Sequence, residues 1–114
     1  LALIHVTPEQ PSRVAGQKSA GASGAPIRAA HERLGELVAR EIPADISATC
    51  LVKSGTPYMQ IVSAASDWGA DLILIATHGS SRFKHALLGS TAERVVRHAT
   101  CPVIVLRGQK DGRV

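Results

Sequence analysis

The chain has very few aromatic residues and few cysteines. Of its 114 residues, one is Trp, one is Tyr, one is Phe and two are Cys. Proteins that bind single-stranded nucleic acid usually stack the bases on several exposed rings, so this composition argues against such a function. Cys50 and Cys101 form no CxxC and belong to no Cys/His cluster, which argues against a zinc site. We therefore expect no nucleic-acid partner and no metal site.

Long apolar runs and dense charge are also absent from the sequence. No stretch reaches the ~18 consecutive apolar residues of a membrane-spanning helix. The net charge of +4 is scattered along the chain without a long basic run. What remains is an ordinary globular composition, with 45% hydrophobic and 19% charged residues. We expect a single domain, 1–114, with an aliphatic core, located in the cytoplasm and without a membrane partner.

Apolar patterns predict strands that alternate with helices. Runs without polar alternation are typical of strands buried in a parallel sheet, whereas apolar residues three and four apart mark the inward face of a helix. A segment rich in Gly, Ala, Ser and Pro, 7–26, is predicted to be a flexible loop. The order therefore predicts an α/β fold with a parallel sheet. The predicted strands are 1–6, 44–52, 71–77 and 102–107, and the predicted helices are 27–41, 57–68 and one that follows Ser90.

Local signals predict where the helices begin and end. Thr56 and Pro57 are a capping hydroxyl and a proline suited to the first helical position. Gly69 is placed to end that helix in a left-handed turn. Ser90 is predicted to be the N-cap of the last helix, with Glu93 completing a capping box. The buried face of that helix is predicted to comprise Ala92, Val95, Val96 and Ala99.

The stretch IATHGSSRFKHALLGSTAERVV, 75–96, carries the strongest functional signal. Gly79 comes shortly after the end of a predicted apolar strand. Gly89 and Ser90 come just before the next predicted helix. Ligands of parallel α/β sheets bind at the carboxyl ends of strands, and a helix N-terminus offers free N–H groups to an anion. We predict a phosphate site here, with a positive φ at Gly89. The alternative is that both glycines are turn residues and that Ser90 merely caps its own helix.

The segment 71–107 resembles the C-terminal half of the universal stress protein family. Nucleotide-binding members of that family carry Gly-x-x-Gly, nine residues, then Gly-Ser or Gly-Thr. Here Ala76-Thr77-His78-Gly79 is followed, after nine residues, by Gly89-Ser90, so that Ala76 stands in place of a glycine. The resemblance implies that ATP or another adenine nucleotide binds, alone or with Mg²⁺. The implied ligand-binding residues are Val6 near the adenine, Ala76 near the ribose, Gly79, Gly89 and Ser90 at the phosphates, and the adjacent His78 and Thr91.

The resemblance also implies an architecture. The family fold is a parallel five-stranded sheet of order 3-2-1-4-5, of the adenine nucleotide alpha hydrolase-like type, in which residues 1–6 would be the second strand. The family's first strand and helix have no counterpart here, and we expect roughly 30–40 further residues before Leu1 to supply them. The same order separates Cys50 from Cys101 by roughly 19 Å. A disulfide needs Cα atoms within ~7 Å, so we expect two free thiols.

The function implied by the resemblance is a stress-response or signalling module that is not an enzyme. It would be a homodimer that pairs through strand 102–107, with Val103, Ile104 and Val105 at the interface. Two alternatives remain open. One is a member that does not bind nucleotide and acts through protein contacts. The other is a weak ATP-hydrolysing enzyme, although the sequence has no GxxxxGK[ST] phosphate loop.

Overall fold

The computed structural model describes residues 1–9, 24–77 and 89–107. Strands and helices alternate along this part of the chain, and the paired strands are parallel. The predicted α/β class is therefore confirmed. The elements are β1 (Ala2–Thr7), α1 (Gly24–Glu41), β2 (Thr49–Ser54), α2 (Pro57–Trp68), β3 (Ile73–Thr77), α3 (Ser90–His98) and β4 (Val103–Arg107).

Two predicted boundaries differ from the structure by three residues or more. The helix predicted from residue 27 begins at Gly24, inside the segment 7–26 that was expected to be a flexible loop. Within that segment, residues 10–23 lie outside the described part of the chain. The strand predicted over 44–52 is observed as Thr49–Ser54. Its expected first half is a turn instead, because the Ile46 N–H donates to the Pro43 carbonyl at 3.0 Å.

The first compact unit, Leu1–Gln60, is built on the parallel pair β1–β2. The register pairs Ala2 with Thr49 and continues to Thr7 with Ser54. Helix α1 packs on both strands. The half-buried residues of this helix are Ala30, Leu34 and Val38, which belong to the apolar stripe that the spacing predicts. Ile27 and Leu37, also in that stripe, are each 36% exposed.

The second unit, Ile61–Val114, is built on the parallel pair β3–β4, and α3 packs on both strands. Val95 is 0% exposed and Ala92 is 3% exposed, and Ala64 and Ile73 are the other buried hydrophobic residues described in this unit. Val96 was predicted to share the buried face of Ala92 and Val95 but is 46% exposed. It lies about 100° around the helix from Val95, so the two side chains cannot point the same way.

Helix α2 begins and ends as the sequence predicted. Pro57 is its first residue, where a missing N–H costs nothing. At the other end, the Gly69 N–H donates to the Ser66 carbonyl at 3.2 Å, and φ at Gly69 is 72°. The Ala70 N–H donates to the Ala65 carbonyl at 2.9 Å. These two bonds and the left-handed glycine make a Schellman motif.

The strands of the described residues form two parallel sheets of two strands each, β1–β2 and β3–β4. The single five-stranded sheet of order 3-2-1-4-5 therefore stays a prediction. Cys50 and Cys101 are free thiols and half-buried, as expected. Among the described residues, no helix combines the length and the apolar character that a membrane crossing requires.

Candidate functional site

The candidate site begins at the carboxyl end of β3. Ala76 pairs with Leu106 of β4 and is exposed. Thr77 is the last residue of β3, and its Oγ1 donates to the Leu106 carbonyl at 3.3 Å. The strand pairing and this bond attach the end of β3 to β4. The next two predicted site residues, His78 and Gly79, lie outside the described residues.

The second described part of the site is the N-terminus of α3. Gly89 is the N-cap, with the Glu93 N–H donating to its carbonyl at 3.0 Å, and Ser90 is the first helical residue. The prediction that Ser90 is the N-cap was wrong by one residue, because glycine is also accepted at that position. The predicted capping box is wrong too, since the Glu93 carboxylate contacts Arg97 Nη2 at 2.9 Å. As first helical residues, Ser90 and Thr91 present N–H groups that the helix itself leaves unpaired.

The backbone at Gly89 has an ordinary conformation. Its φ is −54° and its ψ is 152°, so the positive φ predicted for it is wrong. Among the described residues, apart from Gly89 and its two chain neighbours, no atom lies within 4 Å of the place where a Cβ would be. Neither the backbone angles nor crowding by the described residues requires a glycine here. In the described part of the structure, the missing side chain leaves open space beside the N-terminus of α3.

Charges near this helix end partly offset one another. The N-terminus of a helix carries the equivalent of about +0.5 elementary charge, which attracts an anion. Glu93 lies in the first turn of α3 and would repel an anion. Its ion pair with Arg97 moderates that repulsion. The Glu93 side chain is 50% exposed and the Arg97 side chain is 71% exposed. Such a surface pair contributes little to stability, about 0–1 kcal/mol.

The predicted site residues are divided between the two units. Ala76, Gly89, Ser90 and Thr91 belong to the second unit, where Ser90 is exposed and Thr91 is half-buried. Val6 belongs to the first unit; it is half-buried in β1 and pairs with Lys53. Within the described ranges, no three or more His, Cys, Asp or Glu side chains are grouped as metal ligands.

Sequence reasoning missed Thr77 as a candidate. In the sequence, Thr77 occupies a variable position of the family motif, between Ala76 and Gly79, so the motif assigns it no role. Its hydrogen bond depends on the register of β3 with β4, which places the Leu106 carbonyl beside it. A threonine at a strand end is too common to signal such a bond by itself.

The sequence profile of the universal stress protein family matches residues 1–107. The chain belongs to that family. It is 37% identical over 57 residues to universal stress protein MJ0577 of Methanocaldococcus jannaschii, a match that covers 50% of this chain and 35% of the relative. It is 45% identical over 56 residues to universal stress protein MJ0531 of the same organism, covering 49% of this chain and 33% of the relative. The matched segments thus span about a third of these relatives' length.

Solved structures show the same fold. A structure of the hypothetical protein MJ0577 aligns with 96% of this chain and 76% of its own, with a TM-score of 0.79 at 24% identity. The hypothetical protein PH0823 aligns with 98% of this chain and 77% of its own, with a TM-score of 0.57 at 20% identity. The likeness to MJ0577 supports an α/β fold with parallel strands.

Proposed function

We propose that the chain binds an adenine nucleotide at the carboxyl end of β3 and the N-terminus of α3. The observation that carries this proposal is that, among the described residues, space is open at Gly89 directly before the N–H groups of Ser90 and Thr91, which the helix itself leaves unpaired. A phosphate group accepts hydrogen bonds from such N–H groups and is attracted by the helix dipole. The exposed Ser90 hydroxyl is a further donor.

The remaining site residues take their roles from the family pattern. His78 and Gly79 would continue the phosphate site from the end of β3, Ala76 would lie near the ribose, and Val6 near the adenine. Ala76 is compatible with this role although the pattern has glycine there. It is an ordinary strand residue paired with Leu106, and non-glycine residues in the described ranges all have negative φ. The added methyl group therefore strains no backbone angle.

The proposed ligand is ATP, ADP or AMP, alone or with Mg²⁺ held through the phosphates, as Mg²⁺ commonly is. The proposed role is a cytoplasmic stress-response or signalling module that binds the nucleotide without turning it over. We further propose that it acts as a homodimer paired through strand 102–107. The proposed complete sheet has five strands in the order 3-2-1-4-5.

Thermal unfolding and calorimetry with ATP test the binding proposal. A ligand that binds the native state alone adds about 2.7 kcal/mol of stability at 100 times its Kd, so ATP should raise the melting temperature. Gly89→Val should abolish that rise and the calorimetric signal, because the branched side chain occupies the phosphate position. The fold should survive, since φ at Gly89 suits any residue and a Cβ there meets no described atom within 4 Å beyond its chain neighbours.

Gly24→Val is the matched control. Gly24 is the first residue of α1 in the first unit, and among the described residues a Cβ there also meets nothing within 4 Å. This variant should bind ATP as the unmodified chain does. Absence of any ATP effect on the unmodified chain would favour a member that works through protein contacts alone. Sustained phosphate release from ATP would instead favour an enzyme.

A further inference from the structure

Strands β1 and β3 end in the same side-chain arrangement. Thr7 Oγ1 donates to the Lys53 carbonyl at 3.3 Å, and Thr77 Oγ1 donates to the Leu106 carbonyl at 3.3 Å. Thr7 is paired with Ser54, and Thr77 is paired with Arg107. In each case the carbonyl that accepts the bond belongs to the residue just before that partner. The same bond in both units indicates a recurring way of fixing the carboxyl end of a strand.

The bond adds a second donor to a carbonyl that already belongs to the ladder. The Ile73 N–H donates to the Pro102 carbonyl at 2.9 Å, one residue before its partner Val103. By the alternation of a parallel ladder, the Thr77 N–H points to the Leu106 carbonyl in the same way. A carbonyl oxygen has two lone pairs and can accept from both the N–H and the hydroxyl. The last residue of β3 is thus tied to β4 twice.

The other described end of the site is fixed within the same unit. The Glu93 N–H donates to the Gly89 carbonyl, and α3 packs on β3 and β4 through the buried Ala92 and Val95. Gly89 and Ser90 therefore have a set position relative to the β3–β4 pair. Thr77 directly follows Ala76, which the family pattern places near the ribose, so its attachment to β4 fixes the described end of β3.

We infer that Thr77 is a positioning residue for phosphate binding, acting through its hydrogen bond to Leu106 rather than by touching the ligand. This inference rests on the proposed function. When a binding site is correctly arranged in only a fraction of the molecules, its apparent Kd equals the intrinsic Kd divided by that fraction. Loss of the hydroxyl lowers the fraction in which the end of β3 is held against β4. A typical hydrogen bond corresponds to a factor of roughly 3 to 10 in such an equilibrium.

The test compares Thr77→Val with Thr77→Ser, using ATP as the probe in calorimetry. Valine keeps the shape and the strand preference but has no hydroxyl, whereas serine keeps the hydroxyl. We expect Thr77→Val to raise the Kd for ATP roughly threefold to tenfold and Thr77→Ser to stay within about twofold of the unmodified chain. The urea midpoint of the ligand-free Thr77→Val protein should fall about as much as that of Thr7→Val, a control that loses the same bond at the end of β1 but should keep its affinity for ATP.

Each outcome decides between two readings. An unchanged Kd in Thr77→Val, with ATP binding by the unmodified chain, would overturn this inference and leave the proposed function intact. Equal weakening in Thr77→Ser and Thr77→Val would also overturn it, because the hydroxyl would then be irrelevant. So would an equal loss of ATP affinity in Thr7→Val, which would indicate that general destabilisation is the cause. Failure of the unmodified chain to bind ATP would overturn the proposed function and the inference together.

Discussion

A glycine is selected either because the backbone needs its freedom or because something must come close to it, and Gly69 and Gly89 show these two cases. Gly69 has φ of 72° and ends α2 in a Schellman motif. Gly89 has φ of −54°, which any residue adopts, and open space around its missing Cβ in the described structure. The absence of a conformational reason at Gly89 strengthens the functional one.

Gly69→Ala should destabilise the protein, whereas Gly35→Ala should stabilise it. A left-handed alanine costs roughly 1–2 kcal/mol. Gly35 lies inside α1, where a Cβ meets no described atom within 4 Å, and alanine there gains about 0.5–1 kcal/mol in helix propensity. Urea unfolding of the two variants measures both changes. Equal effects of the two substitutions would contradict the conformational assignment of Gly69.

Residue-scale features could be predicted from the sequence where the signal is local. The end of α2 was predictable because Gly69 follows the last apolar position of a clear helical stripe. The start of α3 was missed by one residue because Gly89 and Ser90 are both acceptable N-caps. The Thr77 bond could not be predicted, since it depends on a strand register that sequence pattern alone does not give.

Among the elements, α3 matters most to the site because its N-terminus carries Gly89, Ser90 and Thr91. Its attachment to β3 and β4 depends on a narrow buried face, in which Val95 is 0% exposed. A short helix of this kind is stabilised mainly by its packing, not by its intrinsic propensity. The position of the proposed phosphate site therefore depends on that buried face.

Val95→Ala should lower the free energy of unfolding by about 1–3 kcal/mol, through lost burial and the cavity left behind. Val96→Ala is the matched control on the next residue; Val96 is 46% exposed, so its truncation should cost much less. Urea unfolding compares the two proteins directly. Similar losses in both variants would show that the packed face of α3 is not the one described.

Element boundaries were predictable except where a local interaction or composition concealed them. Ile46, Ala48 and Cys50 alternate as in a strand, but the hydrogen bond from Ile46 to Pro43 makes a turn before Thr49. The start of α1 was concealed by its Gly, Ala and Pro content. Pro26 is compatible with that start, because N–H groups of the first helical turn have no intrahelical partner.

At the scale of the whole molecule, the second unit leaves apolar side chains uncovered. Leu74 is 63% exposed, and Ile104 and Leu106 are each 47% exposed. The register pairs Leu74 with Ile104, so these side chains share one face of the β3–β4 pair. Val103 and Val105, expected at the dimer interface, are half-buried on the other face, with Ile73. Ile104 is therefore the exposed member of the three residues expected at the interface.

The backbone edge of β4 gives the dimer proposal a specific test. The Ile73 N–H donates to the Pro102 carbonyl, so the alternation of the ladder directs the Ile104 backbone towards β3 and the Val105 N–H towards the outer edge. An apolar edge strand such as this one readily pairs with another strand. Proline is tolerated on an edge strand when the lost N–H points outward, so Val105→Pro should keep the fold but lose that pairing.

We expect light scattering to give the mass of two chains for the unmodified protein at micromolar concentration, and of one chain for Val105→Pro. Val105→Ala is the control, because it removes the side-chain packing of this half-buried residue but keeps the outward N–H. It should remain a dimer even if its melting temperature falls. Far-ultraviolet circular dichroism checks that Val105→Pro is folded. A single-chain mass for the unmodified protein, or a dimer of folded Val105→Pro, would show that the edge of β4 does not hold two copies together.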